Sequence, residues 1–190
     1  VTATGSRAAQ DGGAVVVRAG TAFIVNSTLI GNQAGSRGGG LAVLGGSATV
    51  VHATFAGNAA AKGGAVFNAA RLQLANSILA DSRAPEDCVS LRPLEAATTH
   101  NLVEMGRGCG TPRYAADPAL GTLGSYNGPT PTIPLEGGSP AINVAETIAM
   151  VASDLTGMAR PQGGAYDIGA FEFGSEGSLR APANVQIVQN

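Results

Sequence analysis

The sequence predicts an all-β fold: a right-handed, single-stranded parallel β-helix (solenoid) with a loop-rich C-terminal cap. Three observations point there. A pattern of about 25 residues occurs three times, as "GGAVVVRAGTAFIVNSTLIGN" from Gly12, "GGGLAVLGGSATVVHATFAGN" from Gly38 and "GGAVFNAARLQLANSILADS" from Gly63. Within each copy the apolar runs are short, rich in Val, Ile, Thr and Phe, and bounded by Gly or Asn, as strands are. No i, i+3, i+4, i+7 helical spacing runs through them. The composition suits a thin, regular object. With 28 Gly and 10 Pro, turns are frequent, and with 4 % aromatics and no Trp the interior is built from Ala, Val, Leu and Ile.

Residues 1–110 are expected to form the coils. A unit of this length with two or three strands and no helix cannot bury its own apolar face, but coils stacked about 4.8 Å apart can. The hand follows from the strong preference of parallel crossovers for the right-handed connection. Stacking predicts inward ladders of Ile24, Val50 and Leu74, and of Leu29, Phe55 and Leu79. It places Asn26, His52 and Asn76 at one corner between strands, where Asn tolerates left-handed backbone and can bond to the next coil. Asn32 and Asn58 align in the same way. The paired glycines mark a turn that needs either positive φ or close contact between coils.

After Ser82 the pattern degrades. "RAPEDCVSLRPLEAATTHNLVEMGRGCG" carries both cysteines, and "THNLVE" reads as a fourth strand with Asn101 near the Asn76 position. Cys88 and Cys109 allow one intrachain pair, and a disulfide closing that loop is the expectation, worth about 3 kcal/mol and implying an oxidising compartment. Two buried free thiols are the alternative. Residues 111–174, dominated by Pro and Gly, are expected to wrap over the end of the solenoid as its cap. Residues 175–190 read as a linker running into a terminal strand, and "APANVQIVQ" resembles the opening of a fibronectin-type sandwich module. The chain starts at Val1 with no Met and no leader, as expected of a processed or excised segment with further coils before it.

The cysteine-bounded segment followed by "DPALGTL", "NGPTPT", "GSPAI", "RPQGG" and "DIGAFE" resembles the choice-of-anchor Q domain of large bacterial surface and secreted proteins. The "GGG…TFAGN" units resemble the right-handed β-helix repeats of the same proteins and of the pectate-lyase-like solenoids, and more loosely the polymorphic outer-membrane-protein repeat. The likeness spans roughly residues 12–173. It departs where the family has Asp after "SPAI", here Asn143, and in the shortened "YNGPT". The resemblance implies a fold and a secreted or cell-surface location, and no particular reaction.

The formal net charge is −2 with no Lys/Arg block, which argues against nucleic acid as a partner. No apolar run reaches the roughly 20 residues of a membrane-spanning helix. For polysaccharide cleavage, the repeats offer Asp11, Asp81, Arg18, Arg37, Lys62 and Arg71, too sparse for an obvious cluster. For a hydrolase, His52 or His100 would need a Ser in a G-x-S-x-G context, which is missing; His52 reads as a corner residue and His100 as a surface one. No cofactor is required, and no residue is assigned to catalysis. Ca²⁺ is the one ion the cap invites, through Asp154 and Asp167 beside Asp117 and Glu172, although these carboxylates can equally cap turns or pair with Arg160, Arg107 or Arg113. Tyr114, Tyr126 and Tyr166 are candidates for a sugar platform or for packing in the cap. The function expected is a non-catalytic extracellular or cell-surface module, structural or adhesive. It would bind glycans or proteins, or stack coil on coil with its own copies into fibres. The alternative is a polysaccharide-cleaving lyase or hydrolase.

Overall fold

Short β-branched runs extend, and the residues between them turn. In the computed structural model, which describes residues 1–174, this yields thirteen strands: β1 (Thr2–Thr4), β2 (Arg7–Ala8), β3 (Val15–Val17), β4 (Thr21–Ile30), β5 (Gln33–Ala34), β6 (Leu41–Val43), β7 (Ser47–Ala56), β8 (Val66–Asn68), β9 (Arg71–Ala75), β10 (Ile78–Ala80), β11 (Cys88–Ser90), β12 (Leu102–Val103) and β13 (Gly106–Arg107). Among the described residues there is no helix, and the coils stack as a parallel β-solenoid of about four turns. One sheet runs β1-β4-β7-β10-β12 with β9 also on β7, a second runs β3-β6-β8-β11-β13, and β2 pairs with β5. The terminal strand expected at 175–190 lies outside the described residues.

The predicted ladders are present. Ile24 pairs with Val50 and Val50 with Leu74; Leu29 pairs with Phe55 and Phe55 with Leu79. Val50, Leu74, Phe55 and Leu79 are fully buried. They fill the coil interior with Leu41, Val66 and Leu72.

Each turn of chain is bent by left-handed residues at matching places. Asn26, His52, Asn76 and His100 (φ 43° to 49°) form one corner. The fourth member is His100, not the expected Asn101. Asn101 sits one residue further on and does a different job: its Oδ1 accepts from the Ser77 N–H and its Nδ2 donates to the Leu74 carbonyl. Asn32 and Asn58 follow another corner and are wholly buried. Asn58 Oδ1 accepts from both the backbone N–H and the Nδ2 of Asn32, and Asn58 Nδ2 donates to the Leu29 carbonyl.

The paired glycines meet two constraints, and the left-handed member meets both. Gly12, Gly38 and Gly63 hold positive φ (61° to 66°). Space is needed at both: a Cβ on Gly38 would overlap the Leu41 carbonyl oxygen, and one on Gly39 would lie 2.5 Å from the carbonyl oxygens of Ala59 and Gly64. No side chain fits between coils there.

Cys88 and Cys109 form the disulfide, tying β11 to the end of β13 across 21 residues. Among the described residues no cysteine is free. The loop-rich segment after residue 114 does not simply cover the end of the solenoid as expected. It runs back along one flank. Pro131 accepts from the Thr2 hydroxyl, Thr132 bonds Thr28, Ser153 accepts from Asn26, Ala170 donates to Thr54, and Glu146 bonds Asn76 through both backbone groups. Those partners lie in successive coils. Ile78, Ala80 and Leu102 on the flank are buried against Leu135, Ala141, Tyr166 and Ile168. The physical reason is apolar burial: Ile78, Ala80 and Leu102 give that flank a hydrophobic surface, which the segment removes from water.

Candidate functional site

Two places gather polar side chains. The first is where the flank segment meets the corner at His52. His52 is fully buried. Its Nε2 lies 3.0 Å from Asn76 Nδ2, and its ring is 5.9 Å from that of Tyr166. Asn76 is oriented by Glu146, whose N–H it accepts and whose carbonyl it donates to, so its Nδ2 is the donor toward His52. The ring is therefore neutral, with Nε2 accepting. Burial, and then the nearby Arg160 charge, push its pKa down to about 3. Its neighbour across Nε2 is an amide rather than a hydroxyl or a carboxylate, which is the arrangement of a corner residue. His100 is about one-third exposed at its side chain and bonds Thr99 Oγ1.

Beside His52 lie the expected cation ligands. Asp154 Oδ1 accepts from the N–H and hydroxyl of Thr156 and the N–H of Met158, and its Oδ2 accepts from the Glu172 N–H. Asp167 accepts from the N–H groups of Asn143 and Phe173. Glu172 holds Arg160 at 2.6 Å in a pair that water does not reach. Burial first of all raises Asp167 to about 6. These carboxylates are spent on backbone donors, the Thr156 hydroxyl and one guanidinium, which fixes the turns of the flank segment. Among the described residues no group of three His, Cys, Asp or Glu is arranged to hold a metal ion.

Other candidates are dispersed by their own partners. Asp11 is buried and gripped bidentately by Arg37 at 2.7 and 2.9 Å, with Arg18 at 3.5 Å. Arg37 also lies over the Phe67 ring. Tyr166 is a core residue, Tyr126 packs edge-on against Phe171, and Tyr114 stands under Arg113. No shared platform results. Acids do gather near the last coil: Asp81 is raised by burial, then by Glu104, Asp117 and Asp87. Asp87 there is a turn acceptor for Ser82 and Met105.

The second place is the outward face of the first half of β4 and β7 and of β9. Alternation along a strand sends residues 21, 23 and 25 outward. Register then stacks Thr21 on Ser47 on Arg71, and Phe23 on Thr49 on Gln73. Val51 and Ala75, next along, are covered by Ile148 and Val151 of the flank segment. What remains open is a groove of about 380 Å³ lined by Ser47, Thr49, Arg71, Gln73, Glu95 and the alanines beside them. Its one acid, Glu95, pairs with Arg71 at 3.2 Å, and Thr21 bonds Ser47 at 3.0 Å. Of these residues only Arg71 stands out in the sequence, although period-two alternation within the aligned repeats marks Thr49 and Gln73 as facing the same way.

No protein-family model matches this chain, and neither a curated protein nor a solved structure is similar to it at a significant level.

Proposed function

We propose that this chain is a non-catalytic β-solenoid module of the secreted or cell-surface kind, structural or adhesive, that binds glycans or proteins through its repetitive outer face or stacks with its own copies. The reading rests on one observation above others. The open groove presents hydroxyls, an amide and a self-neutralised ion pair, with Glu95 as its only acid. A cleaving groove would need at least two unpaired acids facing each other, or acids and a base around a cation. The Cys88–Cys109 disulfide, and the lack of a long apolar helix among the described residues, are compatible with an extracellular location. The motif resemblance to the choice-of-anchor Q domain favours the same setting.

A second reading, polysaccharide cleavage, is favoured by the acids around Asp81, Glu104 and Asp117. One experiment separates the two. Binding to glycan and protein arrays is measured beside product release from polyuronides and neutral polysaccharides. The module reading expects array binding with no new reducing ends or unsaturated products. Product release that disappears in Asp81→Asn or Glu104→Gln would establish the enzyme instead. Electron microscopy of the pure protein tests stacking into fibres.

A further inference from the structure

We infer that the groove on β7 and β9, together with the adjoining Phe23 of β4, is a binding site for a neutral polysaccharide lying along the solenoid axis, with Phe23 as its stacking ring. The inference rests on the binding-module reading and names the ligand and the site.

Four features of the face select that chemistry. Phe23 is 73 % exposed, the most exposed aromatic ring among the described residues. A bare ring costs free energy in water and offers a flat apolar surface of the kind that the C–H face of a pyranose covers. In line with it, coil after coil, stand Thr49 and then Gln73, a hydroxyl and an amide that both donate and accept. The parallel row, Thr21, Ser47 and Arg71, adds two more hydroxyls. The rungs repeat about every 4.8 Å, close to the advance of one sugar unit in an extended chain, so successive units meet equivalent rungs.

Charge decides between classes of glycan. The only ionised groups at the groove, Arg71 and Glu95, compensate each other at 3.2 Å. A polyanion would find no uncompensated cation here and would meet the Glu95 carboxylate. A protein partner is less well matched. Protein interfaces centre on a desolvated apolar or aromatic core, whereas this face sets Phe23 and the exposed Val25 beside hydroxyls, one amide and an ion pair. Ile148 and Val151 cover Val51 and Ala75, the next outward residues of β7 and β9, which limits the open face to a strip suited to a slender chain.

The test uses the whole chain in affinity gel electrophoresis. The gels contain hydroxyethyl cellulose, galactomannan or xylan as neutral polymers, and polygalacturonate or heparin as polyanions. The expected result is retardation in at least one neutral gel, insensitive to NaCl between about 0.05 and 0.5 M, because no net charge is being screened. Phe23→Ala should weaken that retardation by roughly 3-fold or more, and Gln73→Ala should weaken it too. Leu91→Ala, an exposed change outside the groove lining, should leave it intact. Since Phe23 is exposed and outside the core, a fold-neutral loss is expected, and circular dichroism of the variant checks that. Absence of retardation in every neutral gel, retardation confined to polyanions, or unchanged retardation in Phe23→Ala overturns the inference. Binding to a protein on the arrays without neutral-glycan retardation leaves the module reading standing and removes this one. Polysaccharide cleavage with blank arrays removes the module reading itself.

Discussion

At the scale of single residues, His52 shows how a corner becomes sensitive to its surroundings. Its place was legible, because Asn26 and Asn76 stand in register with it and share its left-handed backbone. Its burial was not, because Tyr166 and Arg160 come from aperiodic chain more than a hundred residues away. Burial holds the folded-state pKa near 3, against an ordinary 6.5. The unfolded chain thus takes up the proton first, and the stability due to the neutral ring is complete above pH 6.5 and drains as pH falls toward 3. Asp167 acts in the opposite sense: raised from 3.8 to about 6, it makes the fold gain a proton and stability as pH falls through 6 toward 4. The two overlap, so the parent's pH profile alone does not separate them. His52→Asn does. In urea unfolding, the stability of that variant relative to the parent should shift in its favour by on the order of 2–3 kcal/mol between pH 7 and pH 4. A difference that stays constant over this range would show that His52 is not the titrating group.

At the scale of elements, the repeats made the ladders readable because each inward position recurs with its neighbours. The same periodicity did not tell apart glycines needed for left-handed backbone alone from those needed for space, since a sequence records that Gly is present and not which constraint demands it. The geometry makes the distinction testable. Gly31 needs only its positive φ of 65°, with open space around an added Cβ, whereas Gly39 has carbonyl oxygens 2.5 Å away on two sides. Gly31→Ala should cost about 1–2 kcal/mol from left-handed backbone alone. Gly39→Ala should cost clearly more, because the coils must move apart. Equal losses in denaturant melts would mean that the coils yield easily at that turn. The end of the solenoid offers a second test. Reducing Cys88–Cys109, or replacing both with Ala, should lower stability by about 3 kcal/mol. Amide exchange should speed up first in β11 and β13, which the bond ties together, while β4 and β7 stay protected. Uniform acceleration across all strands would contradict that local role.

At the scale of the whole molecule, the unanticipated feature is the flank segment. The expectation of an end cap came from the general need of solenoids to hide their last coil. What it missed was the outward row Thr28, Thr54 and Ile78, to which the segment bonds through Thr132 and the Ala170 N–H. The segment is joined to successive coils by scattered hydrogen bonds and an apolar seam, while its own turns are braced by a few buried polar groups. Arg160 is the central one: it bonds Glu172 and the carbonyls of Asp167 and Gly169 from a site closed to water. Arg160→Met would leave Glu172 buried without its cation, near Asp154 and Asp167, at a cost of about 3–5 kcal/mol. That cost falls on the flank, not on the coil ladders. Limited proteolysis of the variant should therefore cut within 115–173 well before it reaches the coils, with much of the β-sheet dichroism retained. Adding Glu172→Met should slow that cutting again, because the stranded charge is removed. If flank and coils are instead digested together at one rate, the segment is not a separable clasp, and the solenoid and its flank fold as a single cooperative unit.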